Sequence, residues 1–405
     1  VCSGPRFSFS EISVTSAAVD LELNRLAQAR TIGRDLDPGY RNAIAVPFSW
    51  PREKAPDRPS DARRWSKEEE FTRAVALGLF DYLRKSHSNG FVVSLSGGAD
   101  SAAVATLVTL ARRLALAELG EEGWSDRFPW HTGVPTPAEF LLCVYQATAN
   151  SGEVTSQAAR QLAEALEAEF AEWNVQAAVD HYRTLAEDTI GRALTWEQDD
   201  IPLQNIQARV RAPGIWLMAN LRNALLLATS NRSEAAVGYT TMDGDTCGGL
   251  SPIAGIDKAF LRHWLRWLET DGLPDIPPLP ALAAINRQQP TAELRPAEDA
   301  QTDEDDLMPF PILDRIERLA IRDKKGPGEV LQLLGAEFDE RDPSVLRGWV
   351  IRFFRLWSRN QWKRERYAPS FHLDDENLDP KTWCRFPILS GGFEEELARL
   401  EEELR

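Results

Sequence analysis

Between residues 65 and 271, short apolar runs alternate with longer stretches of helical periodicity. The runs over residues 91–95 and 140–145 are continuous and have the length of buried strands. Residues 102–117 are almost all Ala, Val, Leu and Thr, a composition that indicates a buried helix. Strand and helix in alternation predict an α/β fold, in which a parallel sheet is covered by helices.

The pattern also divides the chain. It predicts a helix over residues 156–170, a third strand over 173–179 and an apolar stretch over 221–229 that ends at Ser230. Residues 272–311 are rich in proline and acid, and we expect an ordered or mobile substrate loop there. Residues 312–405 return to a helical pattern. Proline-rich residues 31–64 indicate a linker, which separates a segment over residues 1–30 from a domain over 65–405.

Charge and composition exclude several classes of protein. Acidic residues outnumber basic ones by 62 to 46 among 405, which disfavours binding to nucleic acid or to an anionic membrane. No run approaches the roughly 18 apolar residues of a membrane span. The 4 cysteines form no CxxC pair, so we expect neither a zinc site nor a disulfide framework, and a cytoplasmic location. The chain begins at Val1, without an initiator methionine, and we expect it to have been cut or to begin inside a longer one.

The main chemical motif lies between the first predicted strand and the buried helix. It reads SLSGGADS over residues 94–101. Glycines allow the backbone to approach a ligand, and a loop at a helix N-terminus turns its N–H groups toward an anion. Asp100 beside phosphate groups makes sense when Mg²⁺ lies between them. The motif therefore predicts a pyrophosphate loop with a metal ion; the alternative is a tight turn in which Ser101 caps the helix.

The six residues Ser96 to Ser101 resemble the SGGxDS signature of the N-type ATP pyrophosphatases. This group includes the synthetases of NAD, GMP and asparagine and several tRNA-modifying enzymes. The resemblance implies a Rossmann-like, adenine nucleotide alpha hydrolase-like fold, with a parallel sheet and helices on both faces. It also implies that ATP is split between its α- and β-phosphates.

Further segments resemble the NAD synthetases in particular. They are NIQARVR (205–211), TSNRSE (229–234), GYTT (238–241), GD (244–245), PI (252–253) with Lys258, PTAEL (290–294), QTDE (301–304) and KR (363–364). The first 30 residues resemble the last strand and helix of the nitrilase-like glutaminase domain of glutamine-dependent NAD synthetases, as a remnant of that domain. We read Cys2 as an ordinary thiol rather than as that domain's nucleophile.

This resemblance implies a reaction and its ligands. ATP adenylates the nicotinate carboxylate of deamido-NAD, and ammonia then displaces AMP. The implied catalytic residues are Asp100 and Lys258, and the implied Mg²⁺ ligands are Asp100 and Glu234. The implied ATP-binding residues are Ser94, Ser96, Gly97, Gly98, Asp100, Ser101, Thr229, Lys258 and Thr291. The implied deamido-NAD contacts are Arg209, Arg211, Asp245, Asp303, Glu304, Lys363 and Arg364.

Each assignment has a structural alternative. Glu234 could instead cap a helix, Lys258 could be a solvated surface lysine, and Asp245 could close a turn. Asp303 and Glu304 could belong to a solvated acidic run. Because Arg209 and Arg211 are two residues apart, we expect that only one of them points to the substrate. Two positions depart from the family: Met242, where relatives often have a basic residue, and Trp362, where some ammonia-dependent relatives have histidine.

Partners and rival functions complete the expectations. Relatives form homodimers, so we expect a homodimer or larger homo-oligomer that uses ammonia, supplied from glutamine by a glutaminase domain missing from this chain. Basic and aromatic residues over 341–366 could suggest RNA binding, but their helical spacing favours core or dimer contacts. The rival functions are another ATP pyrophosphatase, such as a tRNA-modifying ligase, and a non-catalytic nucleotide-binding scaffold. The insert over 120–137 fits a peripheral loop or an interdomain contact.

Overall fold

The computed structural model describes residues 4–15, 27, 30, 65–288, 294–295, 302–380, 387–388 and 391–402. The chain divides into two compact units, Val1–Ser66 and Lys67–Arg405. In the first unit, the ring of Phe7 stacks on that of Trp65 with 5.5 Å between the ring centroids. The predicted linker over residues 31–64 and most of the predicted remnant lie outside the described residues, so the predicted boundaries stay predictions.

The second unit is built on a parallel sheet. Its four strands are β1 (Phe91–Ser94), β2 (Leu141–Ala147), β3 (Glu169–Asn174) and β4 (Leu225–Leu227), in the order β3-β2-β1-β4. Phe91 lies beside Leu141 on one side and Leu225 on the other. The predicted α/β class with a parallel sheet is confirmed. Since β1 lies inside the sheet, the loop that follows it opens at the centre of the carboxyl edge.

Helices surround the sheet in its first half and form the rest of the unit. In chain order they are α1 (Lys67–Ser86), α2 (Ala99–Arg127), α3 (Pro137–Phe140), α4 (Glu153–Ala165), α5 (Gln176–Ile190), α6 (Trp196–Arg209), α7 (Arg211–Arg222), α8 (Arg232–Val237), α9 (Lys258–Thr270), α10 (Ala283–Asn286), α11 (Asp303–Asp306), α12 (Phe310–Glu317), α13 (Pro327–Glu337), α14 (Pro343–Arg359), α15 (Gln361–Arg364) and α16 (Glu394–Glu402). A 3₁₀ turn precedes α10 at Pro280–Leu282, and a π-helical turn follows α12 at Arg318–Arg322.

The insert over residues 120–137 is part of the core. Helix α2 is kinked at Gly120, where φ is 68°, and its part beyond the kink carries Trp124, which is buried. Trp124 and Phe128 are both fully buried, and each packs edge-to-face against Phe80 of α1. Burial of two large rings supplies several kcal/mol of hydrophobic free energy. The insert therefore closes one end of the α1–α2 pair.

Two predicted element positions are wrong. The helix predicted over 156–170 spans Glu153–Ala165, and the third strand lies at Glu169–Asn174 rather than at 173–179. As an edge strand β3 alternates exposed and half-buried side chains, so it lacks the continuous apolar run of β1 and β2. Asn174 accepts a hydrogen bond from the backbone N–H of Gln176 and starts α5 where the strand was predicted to continue. The apolar stretch over 221–229 forms a strand only at Leu225–Leu227.

A second core lies in the predicted helical C-terminal region. Its members include Phe310, Leu313, Ile316, Val330, Leu334, Val350, Phe353, Phe354, Trp357, Leu397 and Leu400. The helical spacing in α14 did predict that its aromatic rings pack inside, and Phe353, Phe354 and Trp357 are confirmed as buried. The acidic helix α16 buries Leu397 and Leu400, while its glutamates lie outside. Within the described ranges, no helix combines the length and the apolar composition that a membrane span requires.

Candidate active site

The loop over residues 95–98 joins β1 to α2 at the carboxyl edge of the sheet. Gly97 adopts φ +82°, and a Cβ there would lie 2.2 Å from the carbonyl oxygen of Thr155. Only glycine fits this close approach to α4. The Ser101 hydroxyl donates to the carbonyl of Gly98 and accepts from the N–H of Ser96. The N-cap of α2 is Gly98, with no side-chain cap, so the alternative that Ser101 caps the helix is wrong.

An open cleft of about 230 Å³ lies above this loop. Many of the residues predicted from the sequence line it: Ser94, Ser96, Gly98, Asp100, Ser101, Arg211, Thr229, Glu234, Asp245, Lys258 and Asp303. They come from the end of β1 and the loop after it, from the segment after β4, from α2, α7, α8, α9 and α11, and from the loop after α8. The topology thus gathers side chains that are separated by up to about 200 residues at one edge of a parallel sheet.

Lys258 occupies the centre of the charge cluster. Its side chain is 3% exposed, so the alternative of a solvated surface lysine is wrong. The ammonium donates a hydrogen bond to a carboxylate oxygen of Asp100 and another, 3.0 Å long, to Oε1 of Glu234. Burial lowers the pKa of Lys258, but the charges of Asp100 and Glu234 outweigh burial and raise it overall. Lys258 is therefore a fixed cation at neutral pH.

The acids of the cluster, if all were ionised, would hold more negative charge than one lysine can neutralise. Burial, reinforced by the charge of Asp100, raises the pKa of Glu234 to about 8 although Lys258 opposes the shift. Burial likewise raises the pKa of Asp303, which Lys258 also opposes. Each shift reports that the ionised carboxylate lacks full compensation. A site of this kind attracts a further cation.

Short polar contacts fix the positions of the two helices that carry Glu234 and Lys258. Asn231 caps α8 by accepting from the N–H of Glu234 at 3.0 Å, and its amide donates to Asp100 at 3.0 Å. The N–H of Lys258 donates to the hydroxyl of Ser233 at 2.9 Å. The carboxylate of Glu234 faces Lys258 rather than the backbone of Asn231, so the alternative of a capping acid is wrong.

Beneath the cleft, Arg232 forms a buried ion cluster that the sequence analysis missed. Its guanidinium is 1% exposed and forms ion pairs with four carboxylates: Asp257 at 3.3 Å, Asp374 and Glu376 at 3.0 Å each, and Glu317. Burial raises the pKa of Glu317 well above its usual value, although Arg232 opposes the shift. Asp257 also caps α9 by accepting from the N–H of Phe260 at 2.7 Å. The cluster ties α8 and α9 to the C-terminal segment.

The predicted deamido-NAD residues divide into two groups. Arg211 lines the cleft, whereas Arg209 is exposed and donates to the carbonyl of Met242 at 3.0 Å. Asp245 lines the cleft and also closes a turn by accepting from the N–H of Thr241. Burial raises the pKa of Asp245 to about 6.

Other predicted residues lie away from the cleft lining. Lys363 donates to the carbonyls of Gly238 at 2.7 Å and Thr240 at 2.8 Å. Glu304 accepts from the N–H of Phe310, at the start of α12. Gly97 belongs to the loop but is not part of the cleft lining, and Thr291 lies outside the described residues.

The prediction that Arg364 contacts substrate needs correction. Its side chain is 2% exposed and donates to the carbonyls of Ala236 and Trp357. The guanidinium also stacks over the Trp357 ring at 3.9 Å from its centroid. Every one of these partners belongs to the protein itself, so Arg364 joins α15 to α8 and α14. The KR motif alone could not distinguish a substrate contact from a structural contact, because the same two residues fit both roles.

The cleft also contains polar residues that the sequence analysis missed. Gln146 follows the second apolar run, accepts from Ser94 at 3.0 Å and donates to the carbonyl of Arg211 at 2.8 Å. A polar residue at the end of a buried strand was the available signal. Arg262, Asn286 and Gln288 also line the cleft. Arg262 follows Lys258 by one helical turn, and this four-residue spacing can be read directly from the sequence.

Comparison with known proteins now identifies the family. The family model described as NAD synthase matches residues 71–365. This chain belongs to the NAD synthase family. Human glutamine-dependent NAD(+) synthetase is 30% identical over 415 residues, which cover 93% of this chain and 58% of that protein. The enzyme of the same name from Aquifex aeolicus is 33% identical over 81% of this chain and 49% of its own length.

A solved structure extends the family comparison to three dimensions. The crystal structure of a glutamine-dependent NAD(+) synthetase from Cytophaga hutchinsonii matches with a TM-score of 0.73 and 46% sequence identity. The match covers 83% of this chain and 56% of that one. This chain thus spans about half the length of the relatives it matches.

Proposed function

We propose that this chain makes NAD from deamido-NAD, ATP and ammonia. A nicotinate carboxylate oxygen attacks the α-phosphorus of ATP, the bond to the bridging oxygen of the β-phosphate breaks, and pyrophosphate leaves. Ammonia then attacks the activated carbonyl carbon, AMP departs with the bonding electrons, and the one surplus proton of the ammonia nitrogen passes to solvent. The observation that carries the proposal is the buried Lys258, held between Asp100 and Glu234 above an SGGxDS loop in a chain of the NAD synthase family.

The ATP contacts follow from the lining of the cleft. The N-terminus of the long helix α2 and the hydroxyl of Ser96 both lie at the cleft, and a helix N-terminus favours anions. Thr229 lines the same cleft from the end of β4. Lys258 supplies a point charge that acts on charge developing between the α- and β-phosphates. Thr291 stays a prediction.

Mg²⁺ fits the acids of the cleft. Asp100 and Glu234 offer carboxylate oxygens, the ligand type that Mg²⁺ prefers, and their charge exceeds that of the one lysine between them. Within the described part of the chain, three or more potential ligands do not converge on one point. Mg²⁺ bound to ATP usually takes only one or two carboxylates from the protein, so this does not conflict with the fit. When bound, the ion would neutralise charge on the departing pyrophosphate.

For deamido-NAD we propose Arg211, Asp245 and Asp303, because all three line the cleft. Arg211 offers a planar fork for phosphate. Lys363 acts through the segment whose carbonyls it holds, and its charge also reaches Asp245. Arg209 and Glu304 stay predictions, since they contact the protein and lie outside the lining.

We further propose that ammonia is supplied from glutamine by a nitrilase-like glutaminase domain, of which residues 1–30 resemble the end. The relatives named above are glutamine-dependent, and this chain covers only 58% and 56% of the length of two of them. Residues 65–405 would form the synthetase domain. The two described cysteines, Cys143 and Cys247, are both free thiols, which agrees with the predicted cytoplasmic location.

A homodimer is supported by an exposed apolar face. Helix α7 buries only Ile215 and Ala219 and exposes Leu217 and Leu221 by 57% and 72%. Exposed leucines concentrated on one helix mark an interaction surface. Replacing Leu217 by glutamate should convert a dimer to a monomer in light scattering, whereas glutamate at the exposed Leu333 of α13 should leave the dimer intact. A wild-type chain that is monomeric at tens of micromolar and fully active would overturn the dimer proposal.

The decisive experiment is NAD formation from deamido-NAD with ATP and Mg²⁺, run once with ammonium and once with glutamine. We expect NAD with ammonium alone, and one AMP and one pyrophosphate for each NAD. Asp100→Asn should lower kcat at least about 100-fold, since charge stabilisation at the leaving phosphates is weakened. Arg315→Gln, on the exposed side of α12, serves as the control for mutation in general. ATP binding without NAD formation in wild type would favour a scaffold or a different adenylated substrate.

A further inference from the structure

Arg262 is a cation in the cleft lining that the assignments above leave without a role. It follows Lys258 by four residues on α9, so both side chains lie on one face of the helix. Among the described residues, its guanidinium forms no hydrogen bond or ion pair with a side chain or a carbonyl. Lys258, in contrast, is held by two carboxylates in the same cleft.

The helix itself offers Arg262 no compensation. Its neighbours one turn before and one turn after are Lys258 and Arg266, both basic. Like charges at this spacing destabilise a helix by a few tenths of a kcal/mol per pair. Side chains on a helix lean toward its N-terminus, which directs Arg262 back over the turn of Lys258. Asp100 and Glu234 neutralise Lys258, so the charge left without a carboxylate partner in the cleft lining is that of Arg262, which an anion would balance.

We propose that Arg262 binds the β- and γ-phosphates of ATP and holds them as pyrophosphate leaves. This inference rests on the proposed function and adds one substrate-binding residue to it. Lys258 is engaged by Asp100 and Glu234, so a second cation is needed for the part of ATP that carries most charge. A guanidinium presents parallel N–H donors to two phosphate oxygens, which a lysine cannot do. AMP, which lacks both phosphates, gains nothing from Arg262.

The test measures binding of four ligands by isothermal titration in Mg²⁺, without an acceptor, so that no turnover occurs. The ligands are ATP, inorganic pyrophosphate, AMP and deamido-NAD. For Arg262→Gln we expect ATP and pyrophosphate to bind about 10- to 100-fold more weakly, the usual loss for a charge-assisted pair, and AMP within about twofold of wild type. Arg262→Lys should recover part of the loss. Arg266→Gln, one turn further and exposed, is the matched control and should bind all four as wild type does.

Three results would overturn the inference: ATP binding unchanged in Arg262→Gln, AMP weakened as much as ATP, or a loss confined to deamido-NAD. Thermal unfolding of each variant checks that the fold is intact. The titrations do not depend on NAD formation, so the two proposals fail separately. If ATP binding depends on Arg262 but the chain makes no NAD, only the proposed function is refuted. NAD formation with ATP binding indifferent to Arg262 would remove only this inference.

Discussion

The buried cluster around Arg232 offers the sharpest test of how the site is held in place. Replacing Arg232 by methionine keeps much of the aliphatic volume and removes the charge. Glu317, which is fully buried, would then lose its ion pair with Arg232. Asp257, which caps α9, would also lose its ion pair with Arg232. Removing one member of a buried pair usually costs about 3–5 kcal/mol, because a charge is left uncompensated in the interior.

The cost can be expressed as a shift in melting temperature. A unit of roughly 340 residues unfolds with an entropy of about 0.7 kcal/mol/K, so this loss lowers Tm by about 4–7 °C. The shift should depend on pH. Burial already raises the pKa of Glu317, and loss of Arg232 raises it further, so the folded variant holds a proton that the unfolded chain releases. Stability is then lost as pH rises, and the Tm difference from wild type should be larger at pH 8 than at pH 5.5.

Circular dichroism at 222 nm, recorded at both pH values, measures the shift. Arg322→Met is the matched control, because Arg322 touches the same cluster through Glu376 at 3.7 Å but is 37% exposed, and exposed pairs contribute about 0–1 kcal/mol. Adding Glu317→Gln to Arg232→Met should recover part of the lost stability. A Tm drop below about 1 °C for Arg232→Met, or a drop that is larger at pH 5.5, would refute this account of the cluster.

Three further changes test other parts of the molecule. Gly97→Ala should weaken ATP binding at least about tenfold, since its Cβ would meet the Thr155 carbonyl at 2.2 Å; Gly328→Ala, which faces open space, should leave titrations unchanged. Trp124→Ala should lower stability by about 3–5 kcal/mol in urea unfolding, and a loss below about 1 kcal/mol would contradict core packing of the insert. Burial lowers the pKa of His131, so wild-type stability should be lost as pH falls through about 6.5, and a pH series of His131→Phe should show a smaller loss.

The sequence was sufficient for those parts of the fold that rest on local signals. Continuous apolar runs predicted β1 and β2 because strands buried on both faces are apolar along most of their length. The prediction misplaced the edge strand β3 because its exposed face permits the charged residues Glu169 and Glu172. These residues interrupt the apolar pattern by which a buried strand is recognised. The glycine loop was predictable because the backbone conformation and the close contact at Gly97 exclude a side chain, so the position requires glycine.

The interpretation of charged residues was less complete, because charge says little about direction. Lys258 and Arg364 are both buried and basic, yet one faces the cleft and the other ties three helices together. The partners of Arg232 are spread from Asp257 to Glu376, and no local pattern connects positions so far apart. Such clusters arise from the packing of the C-terminal segment against α8, a contact that only the folded chain defines.

The two charge clusters together explain how the site holds two carboxylates close to each other before any ligand binds. Burial first, and the charge of Asp100 second, raise the pKa of Glu234, so holding the two carboxylates close together is unfavourable and α8 must be held firmly. Arg232, two residues before Glu234, provides that hold from the opposite side of the helix start, and Ser233 between them accepts from the N–H of Lys258. The segment around residue 376 lies beyond the residues that the family model matches, and it completes the anchor with Asp374 and Glu376. The positions of Asp100 and Glu234 therefore depend on a segment outside the matched family domain.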